Sequence, residues 1–242
     1  MGMSAAQGRA LAVVQARMSS SRLPGKVLAD VGGEPMLALL LRRLRPARSL
    51  RAIVLATSVE SRDDAIAALG VALGVAVSRG PLEDVLARFT AAIGEHEGPV
   101  VRVTGDCPLI DPALVDAVVE RFVRSPGCVY ASNIEPRTFP DGLDVEAIDA
   151  AILRRLDAQP LAAEQREHVT AGLRGHGPRA RLVNSVDLGD LRWTVDRAED
   201  LEFVRALVGR LGKRRHQAGM REILRAVRRE PSLAEHGGWR RG

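Results

Sequence analysis

Residues 11–28 read LAVVQARMSSSRLPGKVL. The opening apolar run predicts a strand over 11–14, and it passes directly into a loop that holds Ala16, Arg17, Ser19, Ser20, Ser21, Arg22, Gly25 and Lys26. Small side chains let backbone N–H groups approach an anion closely, while Arg17, Arg22 and Lys26 bring charge that can converge on it. The composition is that of a polyphosphate cradle at the end of a buried strand. Among 35 Lys and Arg residues, lysine stands only at 26 and 213. In a chain that writes nearly every cation as arginine, this loop keeps a compact ammonium, the point charge suited to a phosphate oxygen.

Outward from this stretch, apolar runs alternate with segments of helical period. Strands are predicted over 52–57, 75–78 and 100–104. A helix starting near Pro35 places Leu37, Leu40, Leu41 and Leu44 on one face; others cover 62–69 and 82–93, the latter with Val85, Leu86, Phe89 and Ile93 inward. Asp111 and Pro112 form a cap and first-turn pair for a helix running to Arg124. Three or four βα units in succession are the signature of an α/β fold with a Rossmann-like, doubly wound, mostly parallel sheet. From Cys128 onward the pattern is less regular: a strand near Val129, a turn at Asp141-Gly142 between extended segments, helices over 149–158 and 162–174, strands over 180–184 and 192–195, and helices over 199–211 and 220–229. The expected organisation is one domain over 1–230, with 137–175 as its acceptor-side and candidate dimerisation subregion, and a flexible tail at 231–242.

Of the 242 residues, 46% are hydrophobic but only 3% aromatic, so base-stacking platforms are scarce, which argues against single-stranded nucleic-acid binding. The formal charge of +5 fits an anionic ligand, yet the basic residues are thickest in the last thirty positions, so net charge decides little. Cys107 and Cys128 form no CxxC pair, which speaks against a zinc site or disulfide framework and for a reducing cytoplasm. The start, MGMSAAQGRA, lacks a signal-peptide pattern, and no apolar run approaches the ~18 residues of a membrane span. A soluble cytoplasmic protein without a membrane partner is expected.

In an open parallel sheet, ligands bind beyond the carboxyl ends of the strands where the strand order reverses. The cationic loop and the segment VVRVTGDCPLID both sit at such ends and should share one crevice. Asp106 is then the leading Mg²⁺ ligand, because a bound triphosphate needs a divalent cation and Mg²⁺ is usually held by one or two carboxylates plus phosphate oxygens. Asp111 is the residue placed to cap the next helix, which leaves Asp106 without that role. Asp196, after the predicted strand in RWTVDRAEDLEF, can join Asp106 on the metal; with Glu199 it also matches a capping box, and the sequence leaves both readings open. Between 137 and 146, Arg137 can pair bidentately with a substrate carboxylate, and Asp141, Asp144 and Glu146 can accept from substrate hydroxyls; turn chemistry is the alternative, above all at Asp141-Gly142. His168 reads as a packing histidine and Cys107 as a small buried hydrophobe.

The blocks QARMSSSRLPGKVL, GPLEDVLARF, VVRVTGDCPLIDP, YASN, RTFPDGLDVEAI, REHVT and LRWTVDRAEDLEFV occur in register over about residues 11–230. With them the chain resembles the SpsF-like spore coat polysaccharide biosynthesis proteins, within the cytidylyltransferase group that includes CMP-sialic acid and CMP-KDO synthetases. The resemblance implies a nucleotide-diphospho-sugar transferase fold, Mg²⁺, a homodimer, and transfer of CMP from CTP to an acidic or related sugar with release of pyrophosphate. Position by position it implies that Arg17, Ser20, Arg22 and Lys26 hold the triphosphate, with Ala16 and Ser19 in the same nucleotide-binding loop. Asp106 and Asp196 would bind metal, and Arg17, Lys26 and Asp106 form the catalytic set. Glu83, Asp84 and Arg88 lie in a block near the base, a solvated helical face being the alternative. One departure stands out: the commonest loop of that family has Gly where this chain has Ser19, and a serine at positive φ would be strained. Either the loop relaxes there or the hydroxyl adds a phosphate contact. The rival functions are a glycosyltransferase using a nucleotide-sugar donor, which commonly carries an Asp-x-Asp motif where this chain has GDCP, and a catalytically silent nucleotide-binding protein.

Overall fold

In β1 (Ala10–Gln15), Ala10, Ala12 and Val14 point into one hydrophobic layer while Leu11 and Val13 point into another. β4 (Pro99–Thr104) does the same, with Val101 and Val103 on the first side and Val100 on the second. Successive side chains of a strand face opposite ways, so an uninterrupted apolar run requires cover on both faces of the sheet. The computed structural model describes residues 9–170, 173, 177–230 and 233. Its sheet has seven strands in the order β3-β2-β1-β4-β6-β5-β7. The others are β2 (Leu50–Ser58), β3 (Ala76–Gly80), β5 (Tyr130–Ser132), β6 (Glu146–Asp149) and β7 (Arg179–Arg181). β1, β2, β3 and β4 run parallel, β6 is antiparallel to β4 and β5, and β5 is parallel to β7. The fold is the mixed, mostly parallel α/β sheet with Rossmann-like winding.

On the first face lie α1 (Met36–Leu44), α2 (Asp64–Ala72), α4 (Pro112–Arg124), α7 (Ala198–Leu211) and α8 (Met220–Arg229). On the second lie α3 (Val85–Ile93) and α5 (Ala150–Asp157), and the short α6 (Ala163–Glu167) follows. The leucine stripe of α1 is buried as its period requires, and so is Arg43, at 1% exposure. Arg43 survives there because its guanidinium donates to the carbonyls of Leu109 (3.0 Å), Ile110 (3.1 Å) and Ala218 (2.7 Å). Asp111 caps α4, Oδ1 accepting from Ala113 N at 2.9 Å, and its other oxygen accepts from Met220 N at 2.7 Å, the first residue of α8. One carboxylate therefore anchors two helices.

Local expectations change most at two points. The segment 192–195 forms no ladder strand but a single bridge, Arg192 to Asp141, and it threads between loops, Val195 N donating to Asp106 O at 2.9 Å. The helix expected over 162–174 ends at Glu167, and Val169 turns the chain with φ 48°, the one positive-φ non-glycine among the described residues. Except for Leu233, the tail at 231–242 lies outside the described residues. Among those residues no helix is long and apolar enough to cross a membrane.

Candidate active site

From β1 the chain winds outward to β2 and β3, then returns to β4 on the other side of β1, so the carboxyl ends of β1 and β4 flank the switch point. Gly105 N donates to Gln15 O at 2.8 Å and ties the two loops together. A Cβ on Gly105 would stand 2.9 Å from that oxygen and 3.1 Å from Ala16 Cβ, so any other residue would force the loops apart. Between them opens a cleft of about 340 Å³, within the usual range for a small-molecule site. Arg17, Arg22, Lys26, Arg88 and Arg102 line it against only Asp106, Glu167 and Asp196 as anions. That excess of positive charge suits a polyanion.

The cationic loop is held from beneath. Asp63, fully buried, accepts from Met18 N at 2.8 Å and from the Ser58 hydroxyl and amide. Met18 O in turn accepts from Ser20 N (3.0 Å) and Gly25 N (2.9 Å), and Gly25, at φ 75°, turns the chain into a single 3-10 turn over Lys26–Leu28. Ser19 has no positive φ, so the loop relaxes at that position, and Ser20 and Ser21 rather than Ser19 line the cleft with Ala16.

Lys26 is 8% exposed and its Nζ donates to Asp106 Oδ2 at 3.2 Å, Asp196 Oδ1 at 3.0 Å and Val195 O at 2.6 Å. The two readings of Asp196 are separated by its neighbour. Asp200, not Glu199, caps α7, its Oδ2 accepting from Asp196 N (2.8 Å) and Arg197 N (3.0 Å), while Glu199 is exposed. The Asp196 carboxylate is thereby left to cations: Lys26, Arg22 at 3.0 Å and Arg192 at 2.7 Å. Burial pushes its pKa up, but the hydrogen bonds from Arg192 and Lys26 outweigh that and hold it below the ordinary aspartate value. Arg192 also reaches Asp200 (3.1 Å) and Asp141 (3.2 Å), and so joins the Arg137–Asp144 turn to the cleft.

On the opposite wall, Arg17 pairs with Glu167 Oε1 at 3.3 Å. Glu167 and His168 both line the cleft because α6 ends at Glu167 and the chain turns at His168; the histidine is exposed rather than packed. Arg102 donates to Gln15 Oε1 (3.2 Å) and Glu146 Oε2 (2.5 Å). Arg102, Glu167 and His168 fall within the quoted blocks VVRVTGDCPLIDP and REHVT, but strand register and the early end of α6 are what bring them to the cleft.

Other candidates lie elsewhere. Arg88 lines the cleft but is buried, and it donates to the Pro81 and Leu82 carbonyls. Burial, then the charge of Arg17, lowers its pKa. Asp84 caps α3 through Ala87 N (2.9 Å) and pairs with Arg166 (2.8 Å), and Glu83 is exposed; neither lines the cleft. Arg137, Asp141, Asp144 and Glu146 do not line it either. The Nη1–Nη2 edge of Arg137 is filled by Asp144, at 2.7 and 2.8 Å. Glu146 is 3% exposed, accepting from Arg102, Tyr130 OH (2.6 Å) and Thr170 Oγ1 (2.8 Å), so it supports the cleft from behind.

Three oxygens already surround the Lys26 ammonium, and that donor set fits a small hard cation. Among the described residues no three His, Cys, Asp or Glu side chains gather as a cage, so a cation here would complete its shell with phosphate oxygens and water.

A family model described as "Cytidylyltransferase" matches residues 11–179. The spore coat polysaccharide biosynthesis protein SpsF of Bacillus subtilis is 32% identical over 237 residues, 93% of this chain and 96% of its own. A solved cytidylyltransferase from Leptospira borgpetersenii superposes with a TM-score of 0.87 at 28% identity, covering 93% of this chain and 96% of that one. CMP:2-keto-3-deoxy-manno-octonic acid synthetase, solved with CTP, shares the fold at a TM-score of 0.62 and 20% identity, covering 83% of this chain and 98% of that one. The family-model match over residues 11–179 and the 32% identity to SpsF over 93% of the chain make this chain a member of the cytidylyltransferase family.

Proposed function

We propose that the protein transfers CMP from CTP to a hydroxyl of an acidic or related sugar, with release of pyrophosphate, as a cytoplasmic step in surface polysaccharide or glycan synthesis. The observation that carries this reading is Lys26 Nζ bridging Asp106 and Asp196 in a cleft with five cationic side chains, where phosphate-gripping and cation-gripping groups meet. The names of the relatives, a spore coat polysaccharide protein and a CMP-sugar synthetase solved with CTP, agree with the substrates proposed.

The acceptor hydroxyl oxygen attacks the α-phosphorus in line: an O–P bond forms as the hydroxyl proton passes to solvent, the bond to the oxygen bridging to the β-phosphate breaks, and pyrophosphate leaves. Catalysis in such a transfer is mostly positioning and charge neutralisation. Arg17, Arg22 and Lys26, with Ser20 and the backbone N–H groups of the loop, hold the triphosphate; Arg17 exchanges Glu167 for phosphate oxygens as it does so. Asp106 and Asp196 would hold Mg²⁺, which would supply positive charge to the reacting phosphate. Asp63 keeps the loop in register from below, and Arg102, braced by Glu146, closes the wall next to β6.

Pyrophosphate release measured with Mg²⁺ across the four nucleoside triphosphates and a panel of acidic sugars tests the reading. Turnover confined to CTP and dependent on the sugar is expected. No pyrophosphate with any pair, or breakdown of a nucleotide-sugar donor in its place, would overturn it.

A further inference from the structure

All three N–H bonds that an ammonium can donate are taken up at Lys26: two by the aspartates that the proposed function gives to the metal and one by Val195 O. Asp196 is engaged at both oxygens, Oδ1 by Lys26 and Arg22 and Oδ2 by Arg192. We propose that Lys26 is a resident counter-ion that reserves these carboxylates, so that a divalent cation enters only together with a nucleoside triphosphate and not ahead of it. The inference rests on the proposed function. A bare divalent ion approaching Asp106 and Asp196 meets a buried positive charge among the same oxygens, where water and salt screen it poorly. A triphosphate changes the balance. Its oxygens offer the Lys26 ammonium and the Arg22 guanidinium, which is more than half exposed, a stronger anionic partner, and the carboxylates that those cations leave are free to take the metal.

The test reads metal binding without catalysis. Equilibrium dialysis with Mn²⁺ and no nucleotide should show weak binding to the wild type, and binding tighter by about 100-fold in Lys26→Met, which keeps the stem and removes the charge. Lys26→Met with Asp106→Asn should lose that gain. Equal Mn²⁺ affinity in wild type and Lys26→Met overturns the proposal. A measurement on the unaltered chain stands beside it, because only two lysines occur, at 26 and 213. With ¹³C-labelled lysine and Lys213→Arg for assignment, Mg²⁺ alone should leave the Lys26 Cε signal in place, and Mg²⁺ with CTP should move it. A shift with Mg²⁺ alone, or none with both, overturns the proposal. Absence of CTP binding to the wild type would instead strike the proposed function, since the Lys26→Met comparison is read without nucleotide.

Discussion

Lys26 with Asp106 and Asp196, and Arg102 with Glu146, are two cation–carboxylate groups at the walls of one cleft, with cations about equally buried and carboxylates exposed to different degrees. The Asp106 side chain is 29% exposed, whereas that of Glu146 is 4% exposed and accepts from an arginine, a tyrosine and a threonine. A partly hydrated carboxylate can give up its cation when another anion takes that cation over. A buried one cannot, because losing its partner leaves an uncompensated charge in the interior. Burial would raise the Glu146 pKa, but the Arg102 charge and the two hydroxyls outweigh it and keep the group ionised. The exposure of the carboxylate, not residue type or the burial of its cation, separates the two groups.

The sharpest way to break this comparison is Asp106→Asn, expected to lower pyrophosphate release about 10³-fold with little change in Tm, since its carboxylate is partly hydrated. Lys26→Ala should cost about 10² to 10³ in turnover, the loss typical of one preorganised charge, and a near-normal rate would remove Lys26 from the machinery. Glu146→Ala should behave in the opposite manner, destabilising the fold by about 3–5 kcal/mol in urea titration because Arg102 is left unpaired. The pH profile sharpens the contrast further. With the folded Glu146 pKa held below the ordinary 4.5, the unfolded chain takes up the proton first on acidification. Its stabilisation is therefore complete above that value and lost as pH falls through the lower folded pKa, so the urea midpoint of Glu146→Gln should decline less than that of the wild type below pH 4.5. The smallest effect belongs to Arg137→Ala: about 1 kcal/mol, as for a partly exposed pair, with the KM for CTP unchanged. A large rise in KM for the sugar would return Arg137 to the substrate.

Residue order alone determined the features that depend on a few neighbouring positions. The βα alternation, the anion-binding composition of 16–26, the strand-end placement of Asp106 and the Asp111 cap are all local, resting on side-chain period and turn chemistry. Only the tertiary structure decided which of 35 cations meets which of 30 carboxylates. It brought Lys26 to partners 80 and 170 positions away, gave the α7 cap to Asp200 and so released Asp196, filled the Arg137 fork with Asp144, and set Arg102 opposite Glu146 across antiparallel strands. Those choices turn on strand register and on where helices stop, and a long charged side chain carries no mark in sequence of the partner that packing will put within its reach.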